Sequence, residues 1–408
     1  MAYTETTTTS YGGRIWNSIK GVGLGFTLIV SATVLLWWNE GESLHTAQDI
    51  AEVSNAAIHV ESMGKLAPSG QLIHGCGTAV TGDTLEDTDF GIALNALCIE
   101  RKVSYYQWTE KKHTETKEKA NGSKEEITTY TYHKEWKDNP VNSSNFHDSN
   151  YRYSNFTLAN LTFNDLEGYP LHVSLGAYKL PRGFFKEIAS KAKESTEPFE
   201  INLQVVESIN QTVSSTQGTS ATVSTNPNDP YQWVHVSNRE IYIGQDASNP
   251  AVGDISIEFT AKEPSVAISV VAFAKGDSLS DYRTKNKNNR HYITQGTKSL
   301  DEMMENAESD NNLNTWIRRL IGLVLVFFGF KGILDILVSI FAIVPIVKNL
   351  VSAGVNVLCG VLAIVYTLII VVVAWIFYRT LLLGAILAGV FGAVVYWLWS
   401  KSKKAQYV

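Results

Sequence analysis

The stretch GVGLGFTLIVSATVLLWW, Gly21 to Trp38, decides the architecture of this chain. No charged residue falls between Lys20 and Glu40. At a rise of about 1.5 Å per residue, a helix of this length covers most of the ~30 Å hydrocarbon core of a bilayer. A cleaved signal peptide is the competing reading, since Arg14 and Lys20 precede the run. Such a peptide has an apolar region of about 7–15 residues and ends at small side chains. This run is longer and ends on Trp37 and Trp38, residues suited to the membrane interface. It reads as a span.

Three more apolar runs lie near the C-terminus. Ile317 to Pro345 has Trp316 at its entry, Asn349 to Tyr378 carries no formal charge, and Leu381 to Ser400 ends among Tyr396, Trp397 and Trp399. The predicted fold class is an α+β membrane protein: four transmembrane helices plus a β-rich extramembrane domain inserted between helices 1 and 2. The predicted segments are 1–20 (cytoplasmic N-terminus), 21–38 (first span), 39–312 (β-rich lumenal or periplasmic domain), 317–345, 349–378 and 381–400 (further spans) and 401–408 (cytoplasmic tail). Orientation follows from the basic residues. With four crossings, Arg14, Lys20, Lys348, Lys401, Lys403 and Lys404 share one face, and Arg318, Arg319 and Arg379 the other. The heavier face is expected to be cytoplasmic.

Composition agrees. The average hydropathy is near zero only because apolar runs and a polar middle cancel, which is a membrane pattern. A net charge of -6 gives no reason to expect a nucleic-acid partner.

In the middle domain, Val103–Trp108 and Ile127–Trp136 are rich in aromatic and β-branched residues and flank Asn121-Gly122, a strong hairpin signal. The charged residues from Lys111 to Glu126 then form a solvated arm, and Trp108 is expected inside the sheet. Phe199–Val206, Trp233–Ile243, Asp254–Thr260 and Val266–Phe273 read as further strands. Phe184–Lys193 and Ser299–Glu308 read as helices, the second leading into the membrane, and Ser214–Pro230 as a loop. Asn121, Asn142, Asn155, Asn160 and Asn210 head glycosylation sequons. Of three cysteines, Cys359 lies in an apolar run. A disulfide between Cys76 and Cys98 and a pair of free thiols in neighbouring strands are balanced alternatives, the first requiring an oxidising compartment.

Motifs that make enzymes recognisable are missing: no phosphate loop, no H-E-x-x-H, no G-x-S-x-G. No catalytic residue, cofactor or metal site is predicted. His147-Asp148 reads as a loop dipeptide. Gly21-x-x-x-Gly25, and the series Ala385, Gly389, Ala393, place small residues on one helix face, where close packing within the chain is favoured over dimerisation. Lys331 and Asp335 share a helix face inside an apolar run. A charge at the bilayer centre costs at least about 2.5–3.5 kcal/mol, so the two are read first as a structural pair facing Asn356, with an ion pathway and a shallow or broken segment ended near the interface by Pro345 as the alternatives.

Several motifs together resemble the transmembrane protein 43 (LUMA) family. They are Asn39-Glu40-Gly41, Tyr106-Gln107-Trp108-Thr109-Glu110, Tyr130 to Trp136, Ser144-Asn145-Phe146, Val252-Gly253-Asp254, Lys275-Gly276-Asp277 and Trp375-Ile376-Phe377-Tyr378-Arg379. The likeness runs the length of the chain in order, departing in the short N-terminus and around Ser214 to Asp229. It implies four spans, a lumenal domain after the first, and no catalytic residues. It marks Tyr106, Gln107, Trp108, Glu110 and Trp136 as a candidate motif surface. For an animal protein it implies the endoplasmic reticulum and inner nuclear membrane, self-association into homo-oligomers, membrane lipid, and lamin- and emerin-type partners. For a bacterial relative it implies the cytoplasmic (inner) membrane and other membrane proteins.

Overall fold

The computed structural model describes residues 2–119, 123–217, 232–340 and 345–379. The chain divides into two compact units. One is strand-rich (Met1–Glu5, Val53–Thr114, Thr128–Met303); the other is mainly helical (Thr6–Glu52, Glu115–Ile127, Met304–Val408).

One sheet runs in the order Ala2–Thr9, Lys124–Lys137, Cys98–Glu118, Ile255–Lys262, Glu240–Ile243, Val234–Val236. The two long strands are the predicted hairpin arms; the turn residues 120–122 lie outside the described residues. Residues Ala2–Thr9 form an edge strand, and their run of threonines is β-prone. One face of this sheet buries Val103, Tyr105, Ile257 and Phe259. Against it lies α3 (Leu203–Thr216), which corrects the strand expected over Phe199–Val206. The Asn202 side chain accepts the Gln204 N–H at 2.9 Å and caps the helix, and Val206, Ile209 and Val213 recur at helical spacing on its buried side. Arg101 threads this core, gripping both oxygens of Asp87 at 2.7 and 2.8 Å. Both side chains are buried, so the pair holds only because each charge is fully partnered.

The second sheet is built on Gln71–Val80 paired with Ser265–Lys275 over their length. Short strands Ser278–Ser280, Tyr178–Lys179 and Ser174–Leu175 close the pairing back onto Gln71–Val80, around Ile73, Leu175, Tyr178 and Val270. Helix α2 (Phe185–Lys191) packs into this core through Phe185 and Ile188, as the sequence predicts. Cys76 and Cys98 are free thiols and stand in different sheets rather than in neighbouring strands.

The helical unit contains α1 (Tyr11–Ala56), α4 (Leu300–Ile340) and α5 (Pro345–Arg379). All three are long and apolar enough to cross a membrane. The span predicted at 381–400, with Ala385, Gly389 and Ala393, lies outside the described residues. Both α1 and α4 outrun their predicted spans. A reciprocal box starts α4: Ser299 Oγ accepts the Glu302 N–H, and Glu302 Oε2 accepts the Ser299 N–H. Glycines let α1 and α4 touch by backbone. A Cβ on Gly25 would stand 2.5 Å from the Gly329 carbonyl oxygen, so the small-residue face packs within the chain. Ala32, Leu36, Val326 and Ala363 are the buried centre of the three helices, and Thr33 Oγ1 bonds the Tyr366 hydroxyl at 2.7 Å. Outward-facing Leu24, Phe26, Val30 and Val34 are each about 60% exposed, an apolar surface suited to contact with lipid.

Candidate functional site

Strand Cys98–Glu118 alternates. Tyr105, Gln107 and Thr109 are buried on one face, while Tyr106, Trp108 and Glu110 are half-buried on the other. The second face meets the facing arm of the hairpin in a ladder. The Tyr106 ring lies 5.2 Å from Trp136, Lys134 Nζ lies 5.2 Å over Trp108, and the Tyr132 hydroxyl donates to Glu110 at 2.6 Å. Cross-strand pairs of this kind are the units that hold a sheet.

The segment from Asn142 to Asn155 closes over part of this ladder. Asn155 behaves as a surrogate strand: its Oδ1 accepts the Trp108 N–H at 2.8 Å and its Nδ2 donates to the Trp108 carbonyl at 2.9 Å. Tyr151 stacks on Tyr132 at 4.2 Å and meets Trp108 edge-on at 4.8 Å. His147 stacks on Tyr130 at 3.8 Å, and its Nδ1 lies 2.9 Å from Glu110 Oε1. The His147 backbone N–H donates to Glu110 Oε2 at 2.7 Å. Gln107 is buried and spends its amide on Phe156 and Val141.

The electrostatics follow from these bonds. Burial raises the Glu110 carboxyl, but the Tyr132 and His147 donors outweigh it and hold the group below its usual range. Burial, then the bond to Glu110, pushes the Tyr132 hydroxyl up to about 12. A carboxylate orienting an imidazole is half of a general-base arrangement, yet its remaining neighbours are aromatic rings and backbone. As it stands, the cluster clamps a loop onto a hairpin. Of the five predicted surface residues, Trp136 is the most exposed, beside Tyr242 on a cleft of about 380 Å³ lined also by Ser104, Glu240 and Pro250.

Sequence reasoning missed His147, Tyr151 and Asn155 as partners of the motif, because no local spacing links them to residues some forty positions away. It also missed His59 and His74, whose Nδ1 atoms are 3.0 Å apart on adjacent strands. Cys98, Glu100 and Glu167 offer ligand atoms within 4.8 Å of one another. Burial, then the two carboxylates, pushes the Cys98 thiol up to about 11. Glu167 is already bonded to Tyr169 and Lys186. That trio is a poor cation ligand set.

In the helical unit the motifs Asn39-Glu40-Gly41 and Trp375 to Arg379 come together. A Cβ on Gly41 would stand 2.5 Å from the Tyr378 ring, and Trp37 lies 5.1 Å from Phe377. Glu40 grips Arg319 through two bonds of 2.8 and 2.7 Å. Lys331 and Asp335 line a cavity of about 560 Å³ with Arg14, Asn17, Ser18 and Ser339.

The family described as Transmembrane protein 43 matches residues 105–380. The mouse protein named Transmembrane protein 43 is 26% identical over 90% of this chain and 87% of its own length. The human protein of that name is 24% identical over the same shares. A Drosophila homologue is 26% identical over 87% of this chain and 88% of its own. No solved structure matches. With more than half of its length matched, this chain, which carries among its described residues three helices long and apolar enough to cross a membrane and a strand-rich unit, belongs to the Transmembrane protein 43 family.

Proposed function

We propose that the chain is a non-enzymatic membrane scaffold that self-associates and holds protein partners through its strand-rich domain. The observation that carries the reading is the clamp at Glu110. The polar groups best suited to chemistry there are bonded to each other and to the loop they retain, which leaves the cleft at Trp136, lined by Tyr242 and by the carboxylates of Glu240 and Glu258, as the face for recognition. Residence in the endoplasmic reticulum and inner nuclear membrane, with lamin- and emerin-type partners, is part of this proposal for an animal chain only.

Purification of the full chain from its own membranes after mild cross-linking tests it. The scaffold reading expects self-association and a reproducible set of co-purifying membrane proteins, depleted by Trp136→Ala. Substrate turnover by the purified chain that vanishes in His147→Ala would overturn it.

A second reading is a channel or transporter, favoured by the polar cavity at Lys331 and Asp335. Flux measured in proteoliposomes decides it: no flux, or flux unaltered by Asp335→Asn, removes this reading.

A further inference from the structure

The end of the helical unit that carries Trp37 and Trp38 holds three guanidinium–indole contacts. Arg318 lies over Trp38 at 5.0 Å, Arg319 over Trp316 at 4.8 Å and Arg379 over Trp375 at 4.7 Å. A cation over an indole face is held by the ring quadrupole, and a guanidinium carries five N–H donors for further partners. Arg319 spends two of them on Glu40. Among the described residues, Arg318 and Arg379 have no ion pair.

Beside Arg379 lies a small cleft of about 100 Å³, with Ser43, Thr315, Arg319, Trp375 and Tyr378 in its walls. That is room for a phosphate group rather than for a whole lipid headgroup. Among the described residues, Glu40 is the only carboxylate lining it and is already neutralised by Arg319, so the cleft retains the positive charge of Arg379.

Depth points to the ligand. Tryptophans cluster at the boundary between hydrocarbon and headgroups, and lipid phosphates lie just outside the hydrocarbon. A guanidinium at that depth, fixed by an indole and lacking a carboxylate, matches a phosphate through paired N–H donors. We propose that this cleft seats the phosphate of a phospholipid headgroup, with Arg379 and the Tyr378 hydroxyl as donors.

The test uses the full chain in nanodiscs made of equal parts phosphatidylcholine and phosphatidylglycerol, with retained phospholipid counted by native mass spectrometry after release. The wild type keeps a bound phospholipid, and Arg379→Gln lowers its retention by about tenfold, as loss of a charge-assisted pair implies. Arg379→Lys restores part of it, since a point charge lacks the planar fork. Tyr378→Phe removes only the hydroxyl, keeps the ring against Gly41, and lowers retention by less. Equal retention in wild type, Arg379→Gln and Tyr378→Phe, all with unchanged helix content and melting temperature, overturns the proposal. Displacement of the lipid by millimolar inorganic phosphate assigns the site to free anions and overturns the lipid source.

Discussion

Gly332 on α4 lies against Gly21 and Gly25 on α1. A Cβ added at Gly332 would stand 2.9 Å from the Gly21 carbonyl oxygen and 3.3 Å from the Gly25 Cα. The same antiparallel register brings Ser339 to 2.5 Å from Ser18 and Arg319 onto Glu40. It therefore places Asp335 between the levels of Gly21 and Ser18, at the end of the first span. The sequence alone puts the Lys331–Asp335 pair in the middle of an apolar run. Lys331 lies about one turn inside that boundary, within reach of headgroups along its flexible stem.

Depth is measurable by cysteine labelling in membranes. A water-soluble maleimide is expected to modify Asp335→Cys about as fast as Lys20→Cys, and Leu325→Cys far more slowly. Protection of position 335 equal to that of position 325 would return the pair to the bilayer interior.

The glycine contact leaves no room for a side chain. Gly25→Val is expected to separate α1 from α4 at a cost of about 1–3 kcal/mol, as overpacking does. The readout is disulfide formation in Ser18→Cys/Ser339→Cys, efficient in the parent and suppressed when Gly25→Val is added.

Trp108 is only half-buried, with Tyr151 against one edge and Lys134 over its face. Trp108→Ala is expected to cost about 2–3 kcal/mol, less than the ~3–5 of a fully buried indole. Asn155→Ala leaves the Trp108 backbone unpaired and is expected to cost about 1–3 kcal/mol. Hydrogen exchange at Trp108 should rise in Asn155→Ala and not in Asn142→Ala.

The histidine pair makes stability depend on pH. Burial, and secondarily the nearby His59, lowers the His74 pKa below 6.5, with the bond to the Lys298 carbonyl opposing. Cys76 and Ser269 complete its surroundings, bonded to each other. The unfolded chain binds the proton more readily than the folded one. The contribution is therefore complete above about pH 6.5 and is lost as pH falls through the folded pKa. Thermal melts of the full chain should drop across that window, and His74→Gln should flatten the drop.

Strand Ala2–Thr9 pairs with the hairpin, and α1 is apolar enough to cross a bilayer. A full crossing would put residues 1–10 and the strand-rich domain on opposite sides, so in membranes one arrangement must yield. Each fully buried apolar side chain gains about 1.5–3 kcal/mol, against about 0.5–1.5 for an edge-strand hydrogen bond. The crossing is expected to win. Protease protection of a tag at residue 1 and of the hairpin, from opposite sides of sealed vesicles, would verify it; protection from the same side would show that the strand persists.

Long apolar runs seek lipid, so the sequence by itself located the three helices apolar enough to cross a membrane, and the aromatic and β-branched runs around Asn121-Gly122 located the hairpin arms. Helix α3 escaped because its signal, an Asn202 cap followed by Val206, Ile209 and Val213, competes with a short apolar run that reads equally well as a strand. What only the tertiary structure decided was company: Asn155 pairing with Trp108, His147 bonding Glu110, Gly41 seating Tyr378, and the level of Asp335. Hydropathy is a property of one segment and is read locally. A partner dozens to hundreds of residues away is chosen by packing and hydrogen-bond geometry, which no local pattern encodes.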